Sequence, residues 1–255
     1  MNILFVHSEK NSIDTEKPVL LQMSIQLGIS YIAALLKKHG HCVDLFVVCH
    51  RTKPSAIDAC IREFQPELIC FTAVFTEYDL IVKTACHIRA AHPGIYLLAG
   101  GPHLSLNPEL PPDSPFDAIC IGEGEWPTLE LVGQLEQHIT PHGIPNLWIR
   151  HGQEIEKNPT RPFVTDLDAL PFPERHMWQR WIFHPNNPLT ILLGRGCPFQ
   201  CSYCCNHALR KISPGTYVRY RSPENIVEEI DTLSKQYPHV PLFYLEIETI
   251  GVNPD

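Results

Sequence analysis

Five short apolar runs, separated by segments with a helical period, constrain most strongly what the first half of this chain can fold into. They occupy residues 3–6, 43–48, 68–72, 95–99 and 118–121. Most are continuous rather than alternating, the pattern of strands covered on both faces. Between them Ile29, Ile32, Ala33 and Leu36 recur at helical spacing before Gly40. Ile57, Cys60, Ile61 and Phe64 do so before Pro66, and Ile81, Thr84, Ala85 and Ile88 before Pro93-Gly94. A last helix is expected from about Trp126-Pro127 through Leu135. Strand–helix repetition of this kind predicts right-handed crossovers and a doubly wound parallel sheet. Ligands of such sheets bind beyond the carboxyl ends of the strands. The segments expected there are residues 7–27, residues 72–78, Gly100-Gly101-Pro102-His103 and Gly122-Glu123-Gly124-Glu125. Paired glycines allow a close backbone approach to a ligand. No G-x-G-x-x-G follows the first run, which disfavours a nicotinamide or flavin dinucleotide.

The second informative feature is Cys197-Pro198-Phe199-Gln200-Cys201-Ser202-Tyr203-Cys204, approached through Gly194-Arg195-Gly196. Three thiolates on one short loop can each hold an iron of a 4Fe-4S cluster, leaving the fourth iron open to a small molecule. Zinc is the competing reading, with Cys205 or His207 as a fourth ligand. Structural zinc sites usually pair two C-x2-C knuckles, and no second knuckle is present, so the spacing favours the cluster. The other six cysteines, Cys42, Cys49, Cys60, Cys70, Cys86 and Cys120, fall in apolar segments and are read as packing residues.

Cys197, Cys201, Tyr203 and Cys204 resemble the C-x3-C-x-aromatic-C signature of the radical S-adenosylmethionine (SAM) enzymes. The resemblance implies that the open iron chelates S-adenosylmethionine, that Tyr203 lies near its adenine, and that reductive cleavage releases a 5′-deoxyadenosyl radical. Cys205 would then be a neighbour of the cluster and not a ligand. Upstream, Leu27-Gly28-Ile29-Ser30-Tyr31-Ile32-Ala33 and the two glycine segments resemble the cobalamin-binding domain that precedes many radical SAM cores. By that resemblance the loops after the third, fourth and fifth strands hold the corrin and its nucleotide tail, through Thr72, Gly100, Gly101, Gly122, Glu123 and Gly124. The D-x-H-x-x-G motif that supplies a histidine to cobalt elsewhere is absent. Cobalamin with its own base displaced and no protein histidine beneath the metal is therefore expected, although His7 and His103 stand at strand ends.

These readings divide the chain into a Rossmann-like cobalamin-binding domain (1–137), a linker (138–187) and the N-terminal part of a radical SAM core (188–255). Within the linker, residues 147–149 and 154–156 flank His151-Gly152 as a small hairpin, and residues 166–173 are too proline-rich for a regular element. A strand at 190–193 delivers the cysteine loop. Ser222 and Pro223 open a helix with Ile226, Ile230 and Leu233 on one face, and residues 241–247 form a second strand. This resembles the first βαβ portion of the family's partial (β/α) barrel, and an incomplete core implies that the chain alone turns over poorly. Glu246 and Glu248 lie near where the family carries Gly-Gly-Glu, but no Gly-Gly precedes them, so their role stays open.

The formal net charge is −8 and no basic tract is present, so a nucleic-acid partner is not expected. No run approaches about 18 apolar residues, the length a membrane span needs. The N-terminus lacks the basic start of a signal peptide, so a cytoplasmic setting is expected. The resemblance implies methyl transfer to an unactivated carbon of a small-molecule or natural-product substrate, with a reductant such as flavodoxin or ferredoxin. A non-methylating cyclase or rearrangement enzyme is the alternative within that class. A cobalamin-binding module with a structural zinc loop is the alternative from another. No residue is assigned a catalytic role.

Overall fold

The computed structural model describes residues 1–249; residues 250–255 of the expected core segment lie outside the described residues. In chain order the first half comprises β1 (Asn2–Ser8), β2 (Val19–Leu21), α1 (Leu27–Lys38), β3 (Cys42–Val48), α2 (Pro54–Phe64), β4 (Leu68–Thr72) and α3 (Tyr78–Ala91). It continues with β5 (Tyr96–Gly100), α4 (Pro102–Leu106), β6 (Ala118–Cys120) and α5 (Glu125–Glu136). The five strands and four long helices expected from periodicity form at those places. The strands assemble in the order β3-β1-β4-β5-β6, every pair parallel. The chain steps from β1 to β3 on one side and then returns past β1 to β4, which sets the topological switch between β1 and β4. Leu4, Leu45, Ile69, Leu97 and Ile119 are buried in the sheet, and Leu36, Ile61, Ile81 and Leu131 pack on it from the helices. The α/β fold with a mostly parallel sheet is thus as the periodicity predicts.

The connection is more structured than its composition suggests. β7 (Leu147–His151) and β8 (Glu154–Lys157) form the expected hairpin, but it is built onto the main sheet. Its first strand pairs antiparallel with β6, Cys120 opposite Leu147 and Ala118 opposite Ile149, completing a seven-stranded sheet. Leu147 and Ile149 are buried on one face, which drives the docking. The outer strand carries Glu154, Glu156 and Lys157, charges that discourage further pairing at the edge. Further along, a 3-10 turn (His176–Trp181) places Trp178, fully buried, in the same core, its indole Nε1 donating to Ser30 Oγ at 2.9 Å. Trp181 Nε1 donates to the carbonyl of Leu45 at 3.0 Å. The next residues form β9 (Ile182–His184), which pairs in parallel with β2, Val19 opposite Ile182. Both pieces of this pairing are only three residues long, too short for a period to show.

The second region contains β10 (Leu189–Leu192), β11 (Gly194–Arg195), α6 (Asn206–Leu209), β12 (Arg219–Tyr220), α7 (Pro223–Gln236) and β13 (Phe243–Glu246). Strands β10 and β13 are parallel, with α7 as their crossover. Ser222 caps α7 by accepting from the Asn225 N–H at 3.1 Å, as its position before Pro223 predicts. Leu189, Ile191, Leu233 and Tyr237 make a small core of their own. Glu229, 1% exposed, holds Arg175 at 2.9 Å and also Arg221, fastening α7 to the connection. Among the described residues no helix is long and apolar enough to cross a membrane.

Because Trp178 fills the main core from outside the strand–helix repeat, Trp178→Ala is expected to cost about 3–5 kcal/mol. Ser30→Ala, which strands a buried indole N–H, is expected to cost about 1–3 kcal/mol. Urea unfolding monitored by far-UV circular dichroism checks both. A Trp178→Ala midpoint equal to wild type would show that the connection is not part of the core.

Candidate functional site

The carboxyl ends of β4, β5 and β6 open onto a cleft of about 440 Å³. Its floor is apolar, with Phe5, Phe71 and Leu98, and α1 contributes Gly28, Ile29 and Ile32 to one side. Thr72, Gly100, Gly101, Gly122, Glu123 and Gly124, the six residues expected to cradle cobalamin, all line it. Gly101 has φ +98°, and a Cβ there would stand 2.7 Å from the carbonyl of Ala73, so the turn out of β5 admits glycine only. The N–H of Gly122 is held by Ser105 Oγ at 3.0 Å, which fixes the next loop.

The opposite wall of the same cleft belongs to the cysteine-loop region. Arg195, Gly196, Leu209, Ile212, Tyr217, Arg219 and Glu248 line it. Strands β11 and β12 pair antiparallel, Gly194 opposite Tyr220 and Arg195 opposite Arg219. At Gly196, with φ +87°, a Cβ would collide with the carbonyl of Tyr217. The glycine approach to Cys197 is therefore dictated by a backbone crossing directly beside it.

Charge joins the two walls. Arg195 donates to Glu123 Oε1 at 3.0 Å and to Glu125 Oε1 at 2.6 Å, and its guanidinium lies over the Tyr31 ring at 5.0 Å. Arg219 donates to Glu123 Oε2 at 3.0 Å and to the carbonyl of Val164 at 2.8 Å, while the Val164 N–H returns to Glu123 at 2.7 Å. Burial by itself would push the Arg195 guanidinium down, but Glu125 and Glu123 more than offset it and hold it above its ordinary value. Glu123, expected among the cobalamin residues, faces the cleft with its carboxylate occupied by this bridge. The sequence names Arg195 and Glu125 only as members of the glycine segments and does not name Arg219, because partners some 70 to 96 positions apart carry no local signal of pairing.

The three motif cysteines are free: Cys201 is exposed, Cys197 and Cys204 half-buried. The Cys204 N–H donates to the carbonyl of Cys201 at 3.1 Å, closing the loop into a turn. Cys197 Sγ lies 3.2 Å from Thr249 Oγ1. Among the described residues no three His, Cys, Asp or Glu side chains converge on a point where one ion could sit. Thiolates that each bind a different iron stand further apart than ligands of one ion, so the donor set and its open position beside the cleft fit a cluster. Cys70 and Cys120 line the cleft floor, and burial pushes both thiols up, Cys120 to about 12, so they remain protonated. Of the six cysteines expected to pack, Cys49 is also buried and Cys60 partly so, whereas Cys42 and Cys86 are exposed, on an edge of β3 and an outer face of α3. Tyr203 is 92% exposed and stands outside the cleft lining. His103 packs against Tyr78 at 4.2 Å between ring centroids, and His7 against Trp178 at 5.4 Å; neither is among the cleft residues. Glu248 lines the cleft, while Glu246 closes β13 opposite Leu192.

Residues 20–132 match the B12 binding domain family. Over 234 residues the chain is 27% identical to the uncharacterized methyltransferase PH0819 of Pyrococcus horikoshii, covering 89% of this chain and 49% of that protein. It is 26% identical to the anaerobic magnesium-protoporphyrin IX monomethyl ester cyclase of Rubrivivax gelatinosus, covering 93% and 43%. The chain thus spans about half the length of these curated relatives. Its fold matches that of the cobalamin-dependent S-adenosylmethionine radical enzyme OxsB, solved with aqua-cobalamin and S-adenosylmethionine bound, with a TM-score of 0.72 at 16% identity over 97% of this chain and 34% of that one. Residues 20–132 are thus similar to a B12 binding domain, and the chain as a whole shares the fold of that solved structure.

Since Glu125 is 3% exposed and Arg195 is its ion-pair partner, Arg195→Ala is expected to cost about 3–5 kcal/mol by leaving a buried carboxylate unpaired. Arg195→Lys keeps the charge without the fork and should recover only part of the loss. Chemical denaturation reads both; a wild-type midpoint for Arg195→Ala would remove the bridge from the account.

Proposed function

We propose that the chain is the cofactor-binding part of a cobalamin-dependent radical SAM enzyme whose most fitting reaction is methyl transfer to an unactivated carbon. The observation that carries this reading is the single cleft shared by the glycine loops of the sheet and the approach to the cysteine loop. When bound, the cluster and S-adenosylmethionine supply radical chemistry and cobalamin supplies a methyl group to transfer. Thr72, Gly100, Gly101, Gly122 and Gly124 would hold the corrin side, with the Gly101 turn letting backbone approach closely. Cys197, Cys201 and Cys204 would ligate the cluster, and Cys205 would not. Tyr203, exposed on that loop, would meet the adenine of S-adenosylmethionine. The apolar floor of Phe5, Phe71 and Leu98 would exclude water from a cofactor held there. The main sheet, with 1–137 as its centre, would form the cobalamin unit, and the segment from 188 the cluster unit. A small-molecule substrate and a flavodoxin- or ferredoxin-type reductant, in a cytoplasmic setting, complete the reading.

A second reaction is kept because one of the relatives is a cyclase at nearly the same identity as the methyltransferase. Both readings share the site and differ in the fate of the substrate. Over the whole protein, methyl transfer is distinguished by label from methyl-labelled S-adenosylmethionine appearing in product.

Anaerobic reconstitution with iron and sulfide is expected to give a brown protein with about four irons. Alanine at Cys197, Cys201 or Cys204 should each abolish the absorption near about 400 nm that thiolate-bound iron gives, and Cys205→Ala should retain it. Added hydroxocobalamin should bind with a base-displaced spectrum. A colourless protein carrying about one zinc would replace this reading with that of a cobalamin module.

A further inference from the structure

Asn206, the first residue of α6, has its side-chain amide fully engaged beside the cysteine loop. The hydroxyl of Tyr217 donates to its Oδ1 at 2.5 Å. Its Nδ2 lies 3.5 Å from Cys204 Sγ and 3.2 Å from Glu248 Oε2. An amide has two N–H donors and one acceptor oxygen, so these three partners account for it. The orientation is decided by charge. Turned over, Oδ1 would face a carboxylate and a sulfur, acceptor against acceptors, whereas as placed both N–H groups meet an acceptor. Tyr217 is braced in turn, its ring packed on Phe163 at 5.2 Å between centroids and its carbonyl lodged against Gly196. Its hydroxyl, like any tyrosine's, is protonated and a donor at neutral pH, and burial, reinforced by Glu248, pushes it further up.

We propose that Asn206 is a positioning residue that tunes the cluster, its amide donating an N–H to the Cys204 thiolate while Tyr217 and Glu248 fix its orientation. The inference rests on the cluster reading above. A hydrogen bond to a ligating sulfur withdraws charge from the thiolate and favours the reduced cluster, raising its potential. Tyr217 and Glu248 also line the cleft, so a molecule seated there touches the two groups that aim the amide. Occupancy of the cleft and the ease of reducing the cluster are thereby linked through one side chain.

The test is potentiometric titration of the reconstituted chain followed by electron paramagnetic resonance (EPR) of the reduced cluster. Asn206→Leu is expected to lower the reduced-to-oxidised ratio at a fixed poise about tenfold, which is about 59 mV for a one-electron couple. Tyr217→Phe keeps the donor but frees its orientation, and should shift the potential the same way by less. Cys205→Ala, on the same loop, should leave it in place. If Asn206→Leu fails to take up a cluster, the Tyr217→Phe shift decides. Wild-type potentials in the cluster-bearing variants would overturn the inference and leave the cluster reading standing. A wild-type chain that takes up no cluster would overturn both.

Discussion

The bridge from Glu123 and Glu125 to Arg195 and Arg219 is the interaction on which the arrangement of the two regions depends. The carboxylates sit on the loop after β6 and the first residue of α5, in a sheet built from the first half of the chain. The guanidinium groups come from paired strands that lead into and return from the cysteine loop. Removing four charges from water is expensive, and buried ion networks are poor evidence of net stability. Their geometric demand is strict, however. Each donor must meet its acceptor, and Arg195, which reaches both Glu123 and Glu125, is followed directly by Gly196, a lining residue of the facing wall. The network thus fixes where the cysteine loop begins relative to the carboxyl ends of the sheet.

Two other features make that placement rigid. Trp178 and Trp181 carry the connection back into the main core, so the path from the first sheet to β10 is not a free tether. Arg175 and Arg221 then pair with Glu229 of α7, coupling the connection to the crossover behind the cysteine loop. The thiols divide by environment. Cys70 and Cys120 are buried in the cleft floor and kept protonated, whereas Cys197, Cys201 and Cys204 lie beyond the cleft lining, Cys201 exposed and the other two half-buried.

Most of the sheet was legible because its strands are long enough to show continuous apolar runs, and its helices because their stripes end at glycine or proline. The glycine loops were legible as a group, since doubly wound sheets bind ligands at one end, and all six expected residues meet in one cleft. What composition hid were contacts between distant segments. The hairpin of β7 and β8 was visible, but its attachment to β6 rests on Leu147 and Ile149, in an apolar run of only three residues. Trp178 lay in a proline-rich connection whose irregular backbone gave no reason to expect a core residue. Tyr203 illustrates the converse: its place in the cysteine motif is plain from spacing, yet the side chain is 92% exposed and its expected contact involves a molecule and not the chain.

The central claim is that the cobalamin loops and the cysteine loop serve one cleft. Pulsed EPR on the reconstituted chain loaded with cob(II)alamin tests it most directly. The relaxation of the cobalt signal is measured with the cluster first oxidised and diamagnetic, then reduced and paramagnetic. A shared cleft predicts clearly faster relaxation in the reduced state, because the two spins would then lie on facing walls. Identical relaxation in both states, with both cofactors bound, would place them in separate sites and contradict the account.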